Sequence, residues 1–389
     1  MTKRKLGIAV IGVGGAVGTT MFAGVELLRK GAVDTQGLPL AEVAGANLTP
    51  YDRIEVAGWD LYETNLAKAA EEHDVLTLKQ FSAVEAELKE ARPWPGIGNP
   101  NFVNNISGQN LIVASGHRAA VERIKQDLEK FRERCESVVV INLASTEKLS
   151  AEGNEIFNSI AGLERALDED SKDISPAILY AYAAVSSGVP YGNFTPSVAA
   201  DIPALIELAK KNSVPIAGKD GKTGQTFIKS VLAPAFRSRA LKVEGWFSTN
   251  ILGNRDGLVL SDEESLASKV KTKSSLLDDI LGYRVEDHIV DIRYYRPRKD
   301  NKEAWDNIDL TGFLGQPMQL KVNFLCRDSI LAAPLAIEIV RCLDLAQSRG
   351  ESGIQDQLSV FFKLPMSKTA IPEQAFHKQE SRLFEWLGK

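Results

Sequence analysis

At 389 residues the chain exceeds what one hydrophobic core usually organises, so two domains are expected. Its 44% hydrophobic and 25% charged content, without low-complexity tracts or repeats, excludes disordered and solenoid architectures. A formal net charge of -5 leaves no basic excess to neutralise a polymer of phosphates, so nucleic acid is not an expected partner.

Three cysteines, Cys135, Cys326 and Cys342, lack CxxC spacing and suggest neither a disulfide framework nor a zinc-thiolate site. A reducing, cytoplasmic setting is expected. Lys3, Arg4 and Lys5 precede an uncharged stretch from Leu6 to Val25 that imitates a membrane anchor. Six glycines in that stretch weaken a spanning helix and suit a strand, phosphate loop and helix, so no membrane partner is expected.

Leu6 to Val13 reads as a strand buried on both faces of a parallel sheet, and Thr19 to Lys30 as the helix after it. Between them, Gly12, Gly14, Gly15 and Gly18, with Ala16 and Val17, form a G-x-G-G-x-x-G turn whose backbone N–H groups can hold a pyrophosphate. The last glycine falls one place later than in the usual dinucleotide fingerprint. A second strand, Arg53 to Gly58, ends at Asp60, which could accept the hydroxyls of an adenosine ribose or could cap a helix beginning near Tyr62. The residues from Gly31 to Asp52 read as an insertion.

Further strands are expected at Leu111 to Ser115, Val138 to Leu143, Ala177 to Val185 and Val214 to Gly218, giving a βαβα order and an open, doubly wound sheet. Ser115, Asn142, Ser145 and Thr146 follow strand ends and are candidate nicotinamide-side contacts, although turns alone favour such residues. The stretch from Gly218 to Thr226, with Asp220, Thr223, Gly224, Gln225 and Thr226, precedes a helix from Phe227 to Arg239. Small hydroxyl residues and a glycine at a helix start make an anion site, a plain capped helix being the alternative.

Past Asn254, Arg255, Asp256 and Gly257, Lys269 and Lys273 stand four residues apart, about 6 Å on one helix face, where like charges repel unless an anion lies between them. Lys302 reads as lying in a polar loop after a strand from His288 to Arg296, and Lys378 in a C-terminal helix. Asp328 opens a long apolar helix through Leu343, by default as its N-cap. Strands near Leu241 to Phe247, His288 to Tyr295 and Gln319 to Leu325 suggest one mixed sheet backed by helices. The four histidines show no Ser/His/Asp spacing and no HExxH pair, so hydrolase and zinc-protease readings fail.

In four blocks, in order, the chain resembles the myo-inositol-1-phosphate synthase family: Gly221 to Thr226 (GKTGQT), Leu252 to Gly257 (LGNRDG), Lys269 to Ile280 (KVKTKSSLLDDI) and Cys326 to Leu335 (CRDSILAAPL). Gly58-Trp59-Asp60, Asn142 to Glu147 (NLASTE) and Phe194 to Ser197 support it. Ala16-Val17 and Arg255 stand where eukaryotic members have asparagines, which points to a prokaryotic-type member.

The resemblance implies an α/β fold: a doubly wound Rossmann-type NAD-binding domain, residues 1–226 with a return at 329–389, around an inserted α+β catalytic and oligomerisation domain, 227–328. It implies a homotetramer acting on glucose 6-phosphate: NAD takes hydride from C5, an enolate closes the ring on the C1 aldehyde, and hydride returns to C5. Lys269 is then implied at the C5 oxygen, Lys302 and Lys378 at carbonyl oxygens, and Lys273 with Thr223 to Thr226 at the phosphate. Asp220, Asp256 and Asp328 would order the lysines, while Asn254, Asp256 and Asp328 also join the cofactor set. Those aspartates are acceptable oxygen ligands without metal-loop spacing, which leaves a divalent metal or a monovalent cation open. The rival readings are an ordinary two-domain NAD dehydrogenase, a cyclase giving another inositol isomer, and a cofactor-binding sensor without catalysis.

Overall fold

The computed structural model describes residues 5–43, 45–103, 106–148, 154–253 and 276–388. Two sheets organise the chain. The first has seven strands in the order β11-β6-β5-β4-β1-β2-β3, parallel throughout: β1 (Leu6–Ile11), β2 (Ile54–Asp60), β3 (Trp94–Pro95), β4 (Ser137–Asn142), β5 (Tyr191–Asn193), β6 (Pro215–Gly218) and β11 (Gly353–Ile354).

β1 is buried along its whole length, and its alternate side chains feed two cores. Leu6, Ile8 and Val10 pack with Met21 and Val25 of helix α1 (Ala16–Arg29) and with Ile339 and Leu343 of a late helix. Ala9 and Ile11 pack with Ile124 and Leu128 of α4 (His117–Arg132) and Ile178 of α6 (Pro176–Ser186). Between α1 and α4 lie α2 (Leu66–His73) and α3 (Leu78–Glu90); α5 (Ile160–Asp168) precedes α6 and α7 (Pro203–Lys211) follows it. The expected doubly wound α/β fold is present.

The second sheet runs β10-β9-β7-β8: β7 (Lys242–Leu252), β8 (Asp287–Tyr294), β9 (Asn301–Thr311) and β10 (Pro317–Arg327). β7 pairs parallel with β8 and antiparallel with β9, so the sheet is mixed, as expected. Helix α8 (Gln225–Ser238) covers one face through Ala233 and Phe236, which meet Trp246, Ile308 and Leu310. The late helix α9 (Asp328–Ser348) follows β10 directly and carries the chain back to the first sheet, and α10 (Phe376–Leu387) closes it.

Several expected elements differ. Ala177 to Val185 is not a strand but the body of α6, capped by Ser175, which accepts from the Ile178 N–H, and opened by Pro176. Every residue from Pro176 to Val185 is buried, so the run has no polar face to reveal a helical period, and its apolar length imitated a strand. The strand of that region is Tyr191–Asn193. Leu111 to Ser115 contributes one bridge, Gly96 to Leu111, rather than a strand. Lys302 lies within β9, not in a loop. That strand escaped notice because its inward positions include Asp306, whose buried carboxylate accepts from the Trp246 indole N–H at 2.8 Å and the Ser248 hydroxyl at 2.6 Å.

Candidate active site

The carboxyl ends of β1, β2 and β4 open onto one cleft, where the switch point of a doubly wound sheet should place a ligand. Its lining includes Gly12, Gly15, Ala16, Val17, Asp60, Asn142, Ser145, Thr146, Asp220, Thr223, Lys302 and Asp328.

Gly12 holds a positive φ of +86°, and a Cβ there would stand 3.1 Å from the Ala144 backbone. A Cβ on Gly18 would come within 2.5 Å of the Val13 carbonyl, so this glycine lets α1 start directly over β1. Gly15, the N-cap of α1, offers no capping side chain, and the N–H groups of the first turn remain available to an anion. The Asp60 carboxylate accepts from Gly14 N–H at 2.9 Å and Tyr62 N–H at 3.2 Å. It does not cap a helix: α2 begins at Leu66, with Asn65 accepting from the Lys68 N–H. A glycine cradle, an uncapped helix start and a carboxylate at the end of the neighbouring strand fit a dinucleotide. Asn142 is buried and held to Asn193, Thr195 and the Ala144 N–H. Ser115 is exposed and lies outside the lining.

The opposite wall comes from four separate chain segments. Asp328 accepts from the Lys302 ammonium and from the Thr223 hydroxyl, both at 3.3 Å. Asp328 is the first helical residue of α9 rather than its N-cap; that position belongs to Arg327, which caps with no side chain. A Cβ built on Gly224 would lie 3.4 Å from Lys302 Nζ. Gly224 is the N-cap of α8, also without a capping side chain. An ammonium therefore sits over an open helix start, and two positive potentials converge where a phosphate or an oxyanion could bind. Gln225 and Thr226 are buried. Gln225 donates to the carbonyls of Thr249 and Trp305 and accepts from Asn250, so its side chain fastens α8 to the second sheet instead of facing the cleft.

Asp220, in left-handed backbone geometry at φ +60°, bonds the Lys363 ammonium at 2.6 Å. Lys363 lines the cleft with a side chain 15% exposed. Sequence reasoning missed it. Residues 361–366 pair with 218–222 through Lys222 N–H to Phe361, Lys363 N–H to Asp220 and Met366 N–H to Gly218, a contact no local pattern announces. The available sign was a lone lysine inside the run Val360 to Leu364. Lys378 is elsewhere: it projects from α10, mostly exposed, 3.2 Å from Glu373, and does not line the cleft. Asn254, Asp256, Lys269 and Lys273 lie outside the described residues.

Other lining residues went unpredicted, Glu147 and His73 among them. Glu147 is buried and accepts from the Ala177 N–H at 2.9 Å, and burial pushes its carboxyl up to about 7. His73 places Nε2 2.9 Å from the Gly14 carbonyl. Burial also pushes the Lys222 ammonium down to about 7; it is bonded to Gln379 at 2.5 Å beneath the anion loop. Among the described residues no cluster of three His, Cys, Asp or Glu side chains is placed to hold a metal ion.

These features define an NAD-binding α/β enzyme with an anion site facing its cofactor turn. The family model described as myo-inositol-1-phosphate synthase matches residues 38–388. Inositol-3-phosphate synthase 1 of Bacteroides thetaiotaomicron is 44% identical over 385 residues, 93% of this chain and 90% of that one. The Spirodela polyrhiza inositol-3-phosphate synthase is 31% identical over 97% of this chain and 84% of its own length. Among solved structures, inositol-3-phosphate synthase from Caenorhabditis elegans superposes with a TM-score of 0.92 at 25% identity, covering 100% of this chain and 86% of that one. The chain belongs to the myo-inositol-1-phosphate synthase family.

Proposed function

We propose that the chain converts D-glucose 6-phosphate to myo-inositol 1-phosphate (1D-myo-inositol 3-phosphate), with no net change of redox state. The observation that carries this reading is the Lys302 ammonium, held by Asp328 and poised over the N-terminus of α8 beside Thr223. Oxidation of an alcohol, enolisation and aldol closure each develop negative charge on oxygen, and a preplaced ammonium stabilises it without reorganisation.

Gly12 to Gly18 and Asp60 would hold NAD, which would supply a hydride acceptor and later a hydride donor for C5. Thr223 and the first N–H groups of α8 hold the substrate phosphate; Gly224 lets it approach the backbone. Lys302 neutralises a carbonyl oxygen as it gains charge, and Asp328 keeps that ammonium aimed. Lys363, ordered by Asp220, takes the place that the family resemblance implied for Lys378. Lys269 at the C5 oxygen, Lys273 at the phosphate, and Asn254 and Asp256 beside the cofactor complete the proposed set.

A cofactor domain of 1–226 and 329–389 around a catalytic domain of 227–328 belongs to the same reading, supported by the two separate sheets. So does a homotetramer. Phe247 and Ile289 are exposed on the second sheet, and Leu325 lies on its edge strand β10, an apolar surface suited to subunit contacts. A cytoplasmic location accords with Cys135, Cys326 and Cys342 all being free thiols.

The test is incubation of the pure protein with glucose 6-phosphate and NAD, followed by NMR of the product and by NADH absorbance. An inositol phosphate of myo configuration with no accumulating NADH is expected. Stoichiometric NADH would make the chain an ordinary dehydrogenase.

A further inference from the structure

Lys302 and Asp328 lie on different elements, so something must set the distance between them. β9 and β10 are paired down to Asn301 with Arg327 and Lys302 with Cys326, which leaves Asp300 at the corner where β10 becomes α9. There Asp300 grips the first turn of α9. Its main-chain carbonyl accepts from the Asp328 N–H at 3.1 Å. Its carboxylate accepts from the Ser329 hydroxyl at 2.6 Å and from the Ser329 N–H at 3.3 Å to each oxygen. Arg327, the N-cap of that helix, supplies no capping side chain, so the cap arrives from the far side of the corner.

Asp300 is 3% exposed and does not line the cleft, whereas Ser329 is buried and does. A carboxylate is costly to bury, and burial pushes this one above its ordinary range. Arg327 Nε stands 4.0 Å away, too far for a hydrogen bond. The gain is geometric. Asp300 precedes Lys302 by one strand repeat, so its anchorage to α9 fixes the base of the Lys302 side chain and the backbone of Asp328 in one step.

We propose that Asp300 is a positioning residue of the reaction, a cap supplied in trans to α9 that holds Lys302 and Asp328 in register with each other and with Thr223. The inference rests on Lys302 and Asp328 being working groups, as read above. It assigns Asp300 no contact with substrate.

The experiment compares Asp300→Ala, Asp300→Asn, Ser329→Ala and the double variant Asp300→Ala/Ser329→Ala for kcat, KM for glucose 6-phosphate, NAD affinity and melting temperature. Asp300→Ala should lower kcat about a hundredfold, the effect of an ångström of misplacement, with NAD affinity unchanged and KM little moved. Asp300→Asn, which keeps an oxygen for the Ser329 hydroxyl, should stay within about fivefold of the parent, since a neutral acceptor still makes the bond. Ser329→Ala should lose about tenfold, and the double variant should be no worse than Asp300→Ala because the hydroxyl bond lost in Ser329→Ala is already lost in Asp300→Ala.

Parent-like turnover in Asp300→Ala would overturn the proposal. So would an Asp300→Asn as damaged as Asp300→Ala, which would make charge the issue, or additive losses in the double variant. Should Asp300→Ala fail to fold, Ser329→Ala decides, and parent-like kcat there overturns it. A parent enzyme that forms no inositol phosphate removes the functional reading itself, and this proposal with it.

Discussion

The two walls of the cleft are built on different principles. The cofactor wall is local: Gly12 to Gly18 form one turn, and Asp60 ends the neighbouring strand, in register through the Ile11 to Trp59 pair. The opposite wall is assembled from Asp220 and Thr223 before α8, Lys302 on β9, Asp328 at the start of α9 and Lys363 beyond β11. In a local wall most of the binding falls to the backbone, so loss of a side chain there should weaken cofactor binding and leave the chemistry intact. A composite wall depends on a few ion pairs, so single substitutions there should act on chemistry and leave cofactor affinity intact.

The largest effect is therefore expected from Lys302→Ala and Lys363→Ala. Each should reduce turnover roughly a hundredfold to a thousandfold, the range for removing one preorganised donor to a developing oxyanion, while NAD affinity stays put. Steady-state rates alongside NAD titration check this. Equal loss of NAD binding would erase the distinction between the walls.

The same contrast explains what the sequence disclosed. Where binding groups are contiguous, residue order is geometry, and Gly12, Gly15, Asp60 and Thr223 could be picked out as candidates that do line one cleft, whereas Gln225 of the same loop fastens α8 to the second sheet. Asp328 was visible through its block but misread as a cap, because its partners Thr223 and Lys302 are distant in sequence. Lys302 was placed in a loop since the buried face of β9, Ala304, Asp306, Ile308 and Leu310, is interrupted by an aspartate, and Lys363 was missed since only the pairing of 361–366 with 218–222 brings it to Asp220. The helix α6 was lost for a different reason: burial on every side erases the period by which helices are recognised.

On the cofactor wall, Glu147 sharpens the comparison through pH. Its carboxyl is raised from 4.5 to about 7 by burial, so the folded state favours the proton. That contribution to stability is fully present below pH 4.5 and is lost as pH rises through 7. Glu147→Gln, which keeps an acceptor for the Ala177 N–H, should therefore gain on the parent by up to about 3 kcal/mol as pH rises across that window. Chemical denaturation at several pH values tests it, and a gap independent of pH would refute the assignment. Asp60→Ala should act more mildly, weakening NAD binding roughly tenfold to a hundredfold with kcat at saturating NAD unchanged, as expected for hydrogen bonds to one charged group. Fluorescence titration of NAD measures it.

The smallest effect is the most diagnostic. The sequence reading named Lys378 and passed over Lys363, although both lie in the C-terminal return. Only one of them reaches Asp220. Lys378 reaches Glu373 instead, in an exposed pair of the kind that contributes about 0–1 kcal/mol. Lys378→Ala should thus leave kcat and KM within about twofold and lower stability by less than about 1 kcal/mol. Turnover that collapses in Lys378→Ala but survives in Lys363→Ala would invert the picture. It would mean that α10 must swing its exposed lysine into the cleft during the reaction, and that the composite wall is completed by motion rather than by the contacts described above.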